Sequence, residues 1–242
     1  MQIKYPIQSL AFVPGTSAPQ LLNFQGKTVA LWSAEFNEDF LHLQLLQETL
    51  SDDERTRAQR FHFQADRNQF IYARGTLRTL LAQYLNVAPA TLQFGYEKNG
   101  KPYLITAAGR PSPLRFNVSH TKGLVMYAMA WNCELGLDVE QLRAEFADDT
   151  TARQFLTIAE HSTWRGLPSA MQPLAFFHTW TCKEAYLKTL GTGLSVAPDT
   201  IAITLNEEAL PQEIKIPAPQ ASWAFYYFVP QPGYVGAFGL RG

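Results

Sequence analysis

Apolar residues Phe70, Ala73, Leu77, Leu80, Leu81 and Tyr84 recur at helical spacing, which predicts an amphipathic helix opening near Asp66. Arg67, Arg74 and Arg78 fall on a neighbouring face of it. Upstream, Ser51-Asp52-Asp53-Glu54 places a Ser cap three residues before a Glu, with acids in the first turn, and predicts a helix reaching Phe61. Residues 92–104 predict a hairpin turning at Asn99-Gly100. Residues 109–113 are Gly/Pro-rich and polar, and predict a linker. Residues 116–119, 124–131 and 135–140 predict strands, the last two joined by a turn at 132–134. Helices are predicted over 151–165 and 172–190, the second closed by Gly191. Strands at 223–230 and 234–240 flank Gln231-Pro232-Gly233. The pattern is α+β in two halves, 1–112 and 113–242.

Composition adds a globular class and little else. The 242 residues are 46% hydrophobic, enough for a sizeable core, and the net charge of −1 favours neither nucleic acid nor a membrane surface. Charge is uneven along the chain. Residues 55–78 hold six arginines (Arg55, Arg57, Arg60, Arg67, Arg74, Arg78) against one acid, Asp66, while residues 134–160 lean acidic. That split suits a phosphate-bearing ligand that also needs a metal, although the arginines equally describe a solvated face. Cys133 and Cys182 form no C-x-x-C and are expected as reduced thiols. No apolar run approaches membrane-spanning length and the N-terminus lacks a signal-like apolar core, so a cytoplasmic, monomeric protein is expected.

Three motifs carry the chemistry. In Leu135-Gly136-Leu137-Asp138-Val139-Glu140 the apolar residues alternate, so Leu135, Leu137 and Val139 face a core and Asp138 and Glu140 share the other face. Paired carboxylates need a positive partner, and a hard divalent cation (Mg²⁺, with Mn²⁺ as an alternative) suits oxygen ligands. An edge strand with two solvated acids has the same sequence. In Trp180-Thr181-Cys182-Lys183-Glu184-Ala185-Tyr186-Leu187-Lys188, Glu184 and Lys188 lie on one helix face, either as a surface ion pair or as a third metal ligand or base beside a phosphate-binding lysine. In Phe116-Asn117-Val118-Ser119-His120, adjacent strand residues point apart, which argues against a Ser–His nucleophile pair; at a strand end both side chains can still meet a phosphate. The glycines of Gly191-Thr192-Gly193 follow a helix and do not form a phosphate cradle.

In this order the three motifs resemble those of the phosphopantetheinyl transferases of the large, surfactin-synthetase-associated (Sfp-type) class: F-N-x-S-H, G-x-D-x-E and W-x-x-K-E-A-x-x-K. Arg57-Ala58-Gln59-Arg60-Phe61, Gly100-Lys101-Pro102 and Gly193-Leu194-Ser195 extend the likeness over roughly residues 50–195. The first 45 and last 40 residues add little to it. The resemblance implies two pseudosymmetric α+β halves with a coenzyme A cleft between them. It implies transfer of the 4′-phosphopantetheine arm of coenzyme A to a serine of an acyl or peptidyl carrier protein, leaving 3′,5′-ADP. By the same likeness Asp138, Glu140 and Glu184 match the magnesium site, and Arg57, Lys101, Ser119, His120 and Lys188 match contacts to coenzyme A. Glu184, Lys188 and Asp138 match the groups at the chemistry.

Two other readings remain open on the residues: another magnesium-dependent nucleotide transferase, and a carrier-binding module without catalysis. For the carrier, residues 141–165 offer Arg143 and Arg153 as cations beside Phe155, Leu156 and Trp164, which serve equally well as core.

Overall fold

A computed structural model describes residues 2–10, 19–36, 39–191, 196–217 and 222–242; the Gly193-Leu194-Ser195 extension lies outside them. Two sheets stack face to face, each with its outer face covered by one long helix.

The smaller sheet holds β2 (Gln20–Phe24), β3 (Lys27–Glu35), β7 (Leu124–Trp131) and β6 (Leu114–Thr121), in that order and all antiparallel. β7 is an unbroken apolar run because both of its faces are buried. Val125, Tyr127 and Met129 turn towards α3 (Gln64–Leu85), with Leu77 and Leu81, and towards α1 (Phe40–Glu48) through Leu43 and Leu46. Leu124, Met126, Ala128 and Ala130 turn instead to the larger sheet, meeting Leu135, Leu137, Val139, Phe238 and Leu240.

The larger sheet runs β8 (Glu134–Gln141), β12 (Tyr234–Arg241), β11 (Trp223–Phe228), β1 (Gln2–Leu10), β10 (Pro211–Pro217), β9 (Ala202–Leu205). Its other face carries α6 (Gln172–Leu190), through Cys182, Ala185, Tyr186 and Leu187. The layers therefore read helix, sheet, sheet, helix, the two-fold α+β arrangement expected. The halves also interleave: β1 joins the larger sheet, and β6 and β7 pair onto β3 in the smaller.

Local chemistry explains most boundaries. Ser51 and Glu54 close a capping box on α2 (Asp52–Gln59). The hairpin forms as β4 (Gln93–Tyr96) and β5 (Pro102–Ile105), with Gly100 at φ 84°. The single helix expected over 151–165 is two, α4 (Asp149–Phe155) and α5 (Ile158–Gly166). Leu156 is extended, and Thr157 and Glu160 form a second capping box that restarts the chain as a new helix. Leu156 and Trp164 belong to the core around α6, and Phe155 packs its ring 4.1 Å from that of Trp180.

The basic stripe needs a correction. Arg74 and Arg78 are buried, so they are not a solvated face. Both pair with buried Glu54, Arg78 Nε at 2.6 Å from Oε2 and Arg74 Nε at 3.2 Å from Oε1. Arg78 also donates to the carbonyls of Pro89 and Leu92, so α3 is bolted to α2 and to the hairpin's approach.

One buried group predicts an acid-sensitive fold. His178 on α6 is fully buried, and neither ring nitrogen has a hydrogen-bond partner. Burial disfavours the imidazolium and lowers its pKa from 6.5 to about 4. The unfolded chain takes up that proton first. Stability is therefore complete above pH 6.5 and falls as pH drops towards 4, by about 3 kcal/mol for this residue. Urea titrations at pH 7 and pH 4 should show wild type losing about that much more than His178→Leu. Equal losses in the two proteins would remove His178 as a cause.

Candidate active site

β8 is the edge strand of the larger sheet, so alternate backbone N–H groups point away from β12 and need acceptors. Short polar side chains on β6 supply them. Leu137 N–H donates to Asn117 Oδ1 (2.9 Å), Val139 N–H to Ser119 Oγ (3.2 Å) and Gln141 N–H to Thr121 Oγ1 (3.2 Å). The period-two row Asn117, Ser119, Thr121 thus joins the two sheets through side chains.

Two of the three side chains do a second task. Ser119 Oγ donates to Asp138 Oδ1 (2.9 Å) and Thr121 Oγ1 donates to Glu140 Oε2 (3.1 Å). Lys188 Nζ, from α6, donates to Asp138 Oδ1 (2.6 Å) and to Ser119 Oγ (3.1 Å). Ser119 then uses its one donor and both acceptor positions. Arg143 lies 3.6 Å from Glu140. Thr121 was not among the residues picked out from sequence; its signal was the third short polar side chain at period two, after Asn117 and Ser119 and alternating with Phe116, Val118 and His120.

Gly136 lets α6 reach this strand. A Cβ there would strike the Ala185 carbonyl oxygen and the backbone of Lys188 and Thr189. Its neighbour across the ladder is Gly239, whose carbonyl accepts from Thr189 Oγ1 (3.1 Å). The glycine of G-x-D-x-E is thus the reason that Glu184 and Lys188 stand over Asp138. Lys183 points elsewhere: it is buried, donating to Glu160 Oε2 (2.7 Å) and to the Phe155 carbonyl (3.0 Å).

The acids are crowded. Burial first, and then the Asp138 charge, push the carboxyls of both Glu140 and Glu184 above the usual range, against a smaller opposing pull from Lys188. Asp138 Oδ2 is buried with no hydrogen-bond partner. Among the described residues no three His, Cys, Asp or Glu side chains stand close enough, as placed, to hold a metal ion. The donor chemistry nevertheless fits a hard cation: an orphaned buried carboxylate oxygen, two neighbouring carboxyls resisting ionisation, and oxygen donors throughout.

His120 points away from Ser119, to the opposite face of β6. There it lines a cavity of about 480 Å³ with Arg57, Phe61, Phe70, Arg74, Tyr96, Gly100 and Pro102. The sequence-predicted residues thus separate into two groups. Asp138, Glu140, Glu184, Ser119 and Lys188 gather at β8 and α6; Arg57 and His120 gather at the cavity. Lys101 joins neither through its ammonium, which donates to the carbonyls of Lys188 (2.6 Å), Leu135 (3.1 Å) and Thr189 (3.5 Å). Burial lowers its pKa, and its charge sits at the negative end of α6.

Comparison with known proteins gives this arrangement its class. Residues 31–132 match the family model described as "4′-phosphopantetheinyl transferase, N-terminal", and residues 134–238 that of the "4′-phosphopantetheinyl transferase superfamily". The chain belongs to the 4′-phosphopantetheinyl transferase superfamily. Among individual relatives it is 36% identical to 4′-phosphopantetheinyl transferase HetI of Nostoc sp., over 93% of this chain and 92% of that protein. It is 31% identical to the L-aminoadipate-semialdehyde dehydrogenase-phosphopantetheinyl transferase of Schizosaccharomyces pombe, over 69% and 70%. Identity to 4′-phosphopantetheinyl transferase Sfp of Bacillus subtilis is 23%, over 84% of each chain. Among the described residues no helix is long and apolar enough to cross a membrane.

Proposed function

We propose that this protein transfers the 4′-phosphopantetheine arm of coenzyme A to a serine of an apo acyl or peptidyl carrier protein, releasing 3′,5′-ADP. The observation that carries the reading is the cluster at β8 and α6: Asp138 with an unpartnered carboxylate oxygen, Glu140 and Glu184 in its field, and Lys188 bonded to it. Membership of the superfamily supports it, and the motifs favour the Sfp-type class within it.

Asp138, Glu140 and Glu184 are the residues that would hold Mg²⁺ (or Mn²⁺). A hard divalent cation held by these carboxylates would supply positive charge against the negative charge that develops as the phosphoryl bond breaks. The chain's own groups do the rest. Glu184 is the carboxylate that accepts the carrier serine's proton, directly or through water. Lys188 holds Asp138 in the resting site and is placed to stabilise the departing oxygen. Arg57 and His120 bind the nucleotide end in the cavity. Ser119 and Lys101 act on coenzyme A through their neighbours: Ser119 by ordering Asp138, and Lys101 by fixing the turn above the cavity to the end of α6. The carrier docks on residues 141–165, where Arg143 lies over the exposed Phe146 ring and Arg153 and Ile158 are also exposed. Buried free thiols at Cys133 and Cys182 suit the reducing cytoplasm.

The test is direct. Incubation with coenzyme A, Mg²⁺ and an apo-carrier should add one phosphopantetheine to the carrier's mass, and excess chelator should stop it. Nucleotide turnover without carrier product would favour another nucleotide transferase; carrier binding with no turnover would favour a docking module. His120→Ala should raise KM for coenzyme A about tenfold with kcat within about threefold, as expected when uniform binding is lost. On dephospho-coenzyme A wild type and variant should behave alike; an undiminished penalty there would remove His120 from the 3′-phosphate.

A further inference from the structure

The cavity beside His120 has one wall that the reading above leaves unused. Phe94 and Tyr96 share a face of β4, two residues apart. The Arg74 guanidinium lies 4.7 Å from the Phe94 ring centroid and donates through Nη2 to the Tyr96 hydroxyl (3.0 Å). Arg74 is in turn anchored by Glu54, a buried residue of α2. The buried pair Glu54 and Arg74 therefore fixes the tyrosine hydroxyl. Tyr96 itself stays 46% exposed and lines the cavity.

The other two rings of the lining are already taken. Phe61 and Phe70 pack together at 5.5 Å, and Arg57 covers Phe70 at 5.1 Å. Tyr96 makes no ring or cation contact of this kind among the described residues. It is a pre-oriented aromatic face, bordered by cations, in a space of nucleotide size. Such a face suits a flat heteroaromatic base whose phosphates lie towards Arg57 and His120.

We infer that Tyr96 is the stacking surface for the nucleobase of the nucleotide substrate, held in place by Arg74 and Glu54. The inference rests on the proposed coenzyme A reaction, whose nucleotide half carries that base. It assigns Tyr96 to binding and gives it no part in the chemistry.

The test uses the whole protein with Mg²⁺ and calorimetric titration of 3′,5′-ADP. Tyr96→Ala should weaken binding about tenfold, as loss of one base–aromatic stack does. Tyr96→Trp keeps a stacking face but loses the hydroxyl, and should bind within about threefold of wild type, with its added fluorescence quenched on saturation. Inorganic pyrophosphate, which has no base, should bind all three proteins equally. Wild-type affinity for 3′,5′-ADP in Tyr96→Ala would overturn the inference while leaving the transfer reading intact. Equal weakening in Tyr96→Trp and Tyr96→Ala would also overturn it, since the hydroxyl tether and not the ring would then matter. A wild type that neither binds 3′,5′-ADP nor modifies a carrier would overturn the reaction reading, and the inference with it.

Discussion

Asp138→Ala should modify a carrier at least about a thousandfold more slowly than wild type, because it removes the carboxylate on which the other charged groups converge. Lys188 and Ser119 both bond to its Oδ1, and its Oδ2 is the unpartnered atom of the site. The fold should survive. Ser119 keeps its bond from Val139 N–H, and Lys188 is exposed enough to turn to water. The stability lost with the bonds of Asp138 to Lys188 and Ser119 should be partly offset at neutral pH. Glu140 and Glu184 have raised pKa values, so ionising them costs the folded state, and that cost grows as pH rises from the ordinary carboxylate range through their folded values. Removing Asp138 deletes one cause of both shifts. Carrier mass spectrometry and thermal melts on the same preparation check both halves. Transfer within tenfold of wild type would sink the role given to Asp138; a collapsed melting temperature would make it a structural residue.

Gly136→Ala should damage fold and activity together. The added Cβ meets backbone atoms of α6, which cannot rotate aside as a side chain does. Overpacking of this kind costs about 3 kcal/mol. For a chain of this size that is a fall of about 10 °C in Tm. Relief comes only by lifting α6 from β8, which carries Glu184 and Lys188 away from Asp138. A shift of about 1 Å costs on the order of a hundredfold in rate. Gly239→Ala is the control. Its Cβ would meet the Thr189 hydroxyl at 2.9 Å and the Phe225 ring at 3.0 Å, contacts wider than those at Gly136 and made to side chains, not to helix backbone. The prediction fails if Gly136→Ala melts and turns over like Gly239→Ala.

Much of this was legible in sequence, for identifiable reasons. The alternation of Leu135, Leu137 and Val139 against Asp138 and Glu140 follows from strand geometry, and the structure places those three apolar side chains in the core between the sheets. The Ser51–Glu54 capping box and the Asn99-Gly100 turn are local signals read within a few residues. What escaped was long-range. β1 spans the larger sheet by pairing with β10 through Pro6 and with β11 from Ile7 onward. Pro6 stands where the strand changes partner, a position its missing N–H tolerates but no local pattern announces. Glu54 looked like a cap alone. It is also the counter-ion of Arg74 and Arg78, supplied by a neighbouring helix, so these two of the six arginines are buried where a solvated face was one of the two readings. The period-two geometry that separates Ser119 from His120 was legible, and the structure has Ser119 at Asp138 and His120 in the cavity.

The row Asn117, Ser119, Thr121 has a mechanical consequence. A backbone ladder between β6 and β8 would have left the acids as passengers on one sheet. Here the fasteners of the joint are the same hydroxyls that aim Asp138 and Glu140. Any slip of one sheet along the other is therefore geared directly to the carboxylates. The strength of the seam and the alignment of the acids are a single property of the molecule, and selection cannot adjust one without resetting the other.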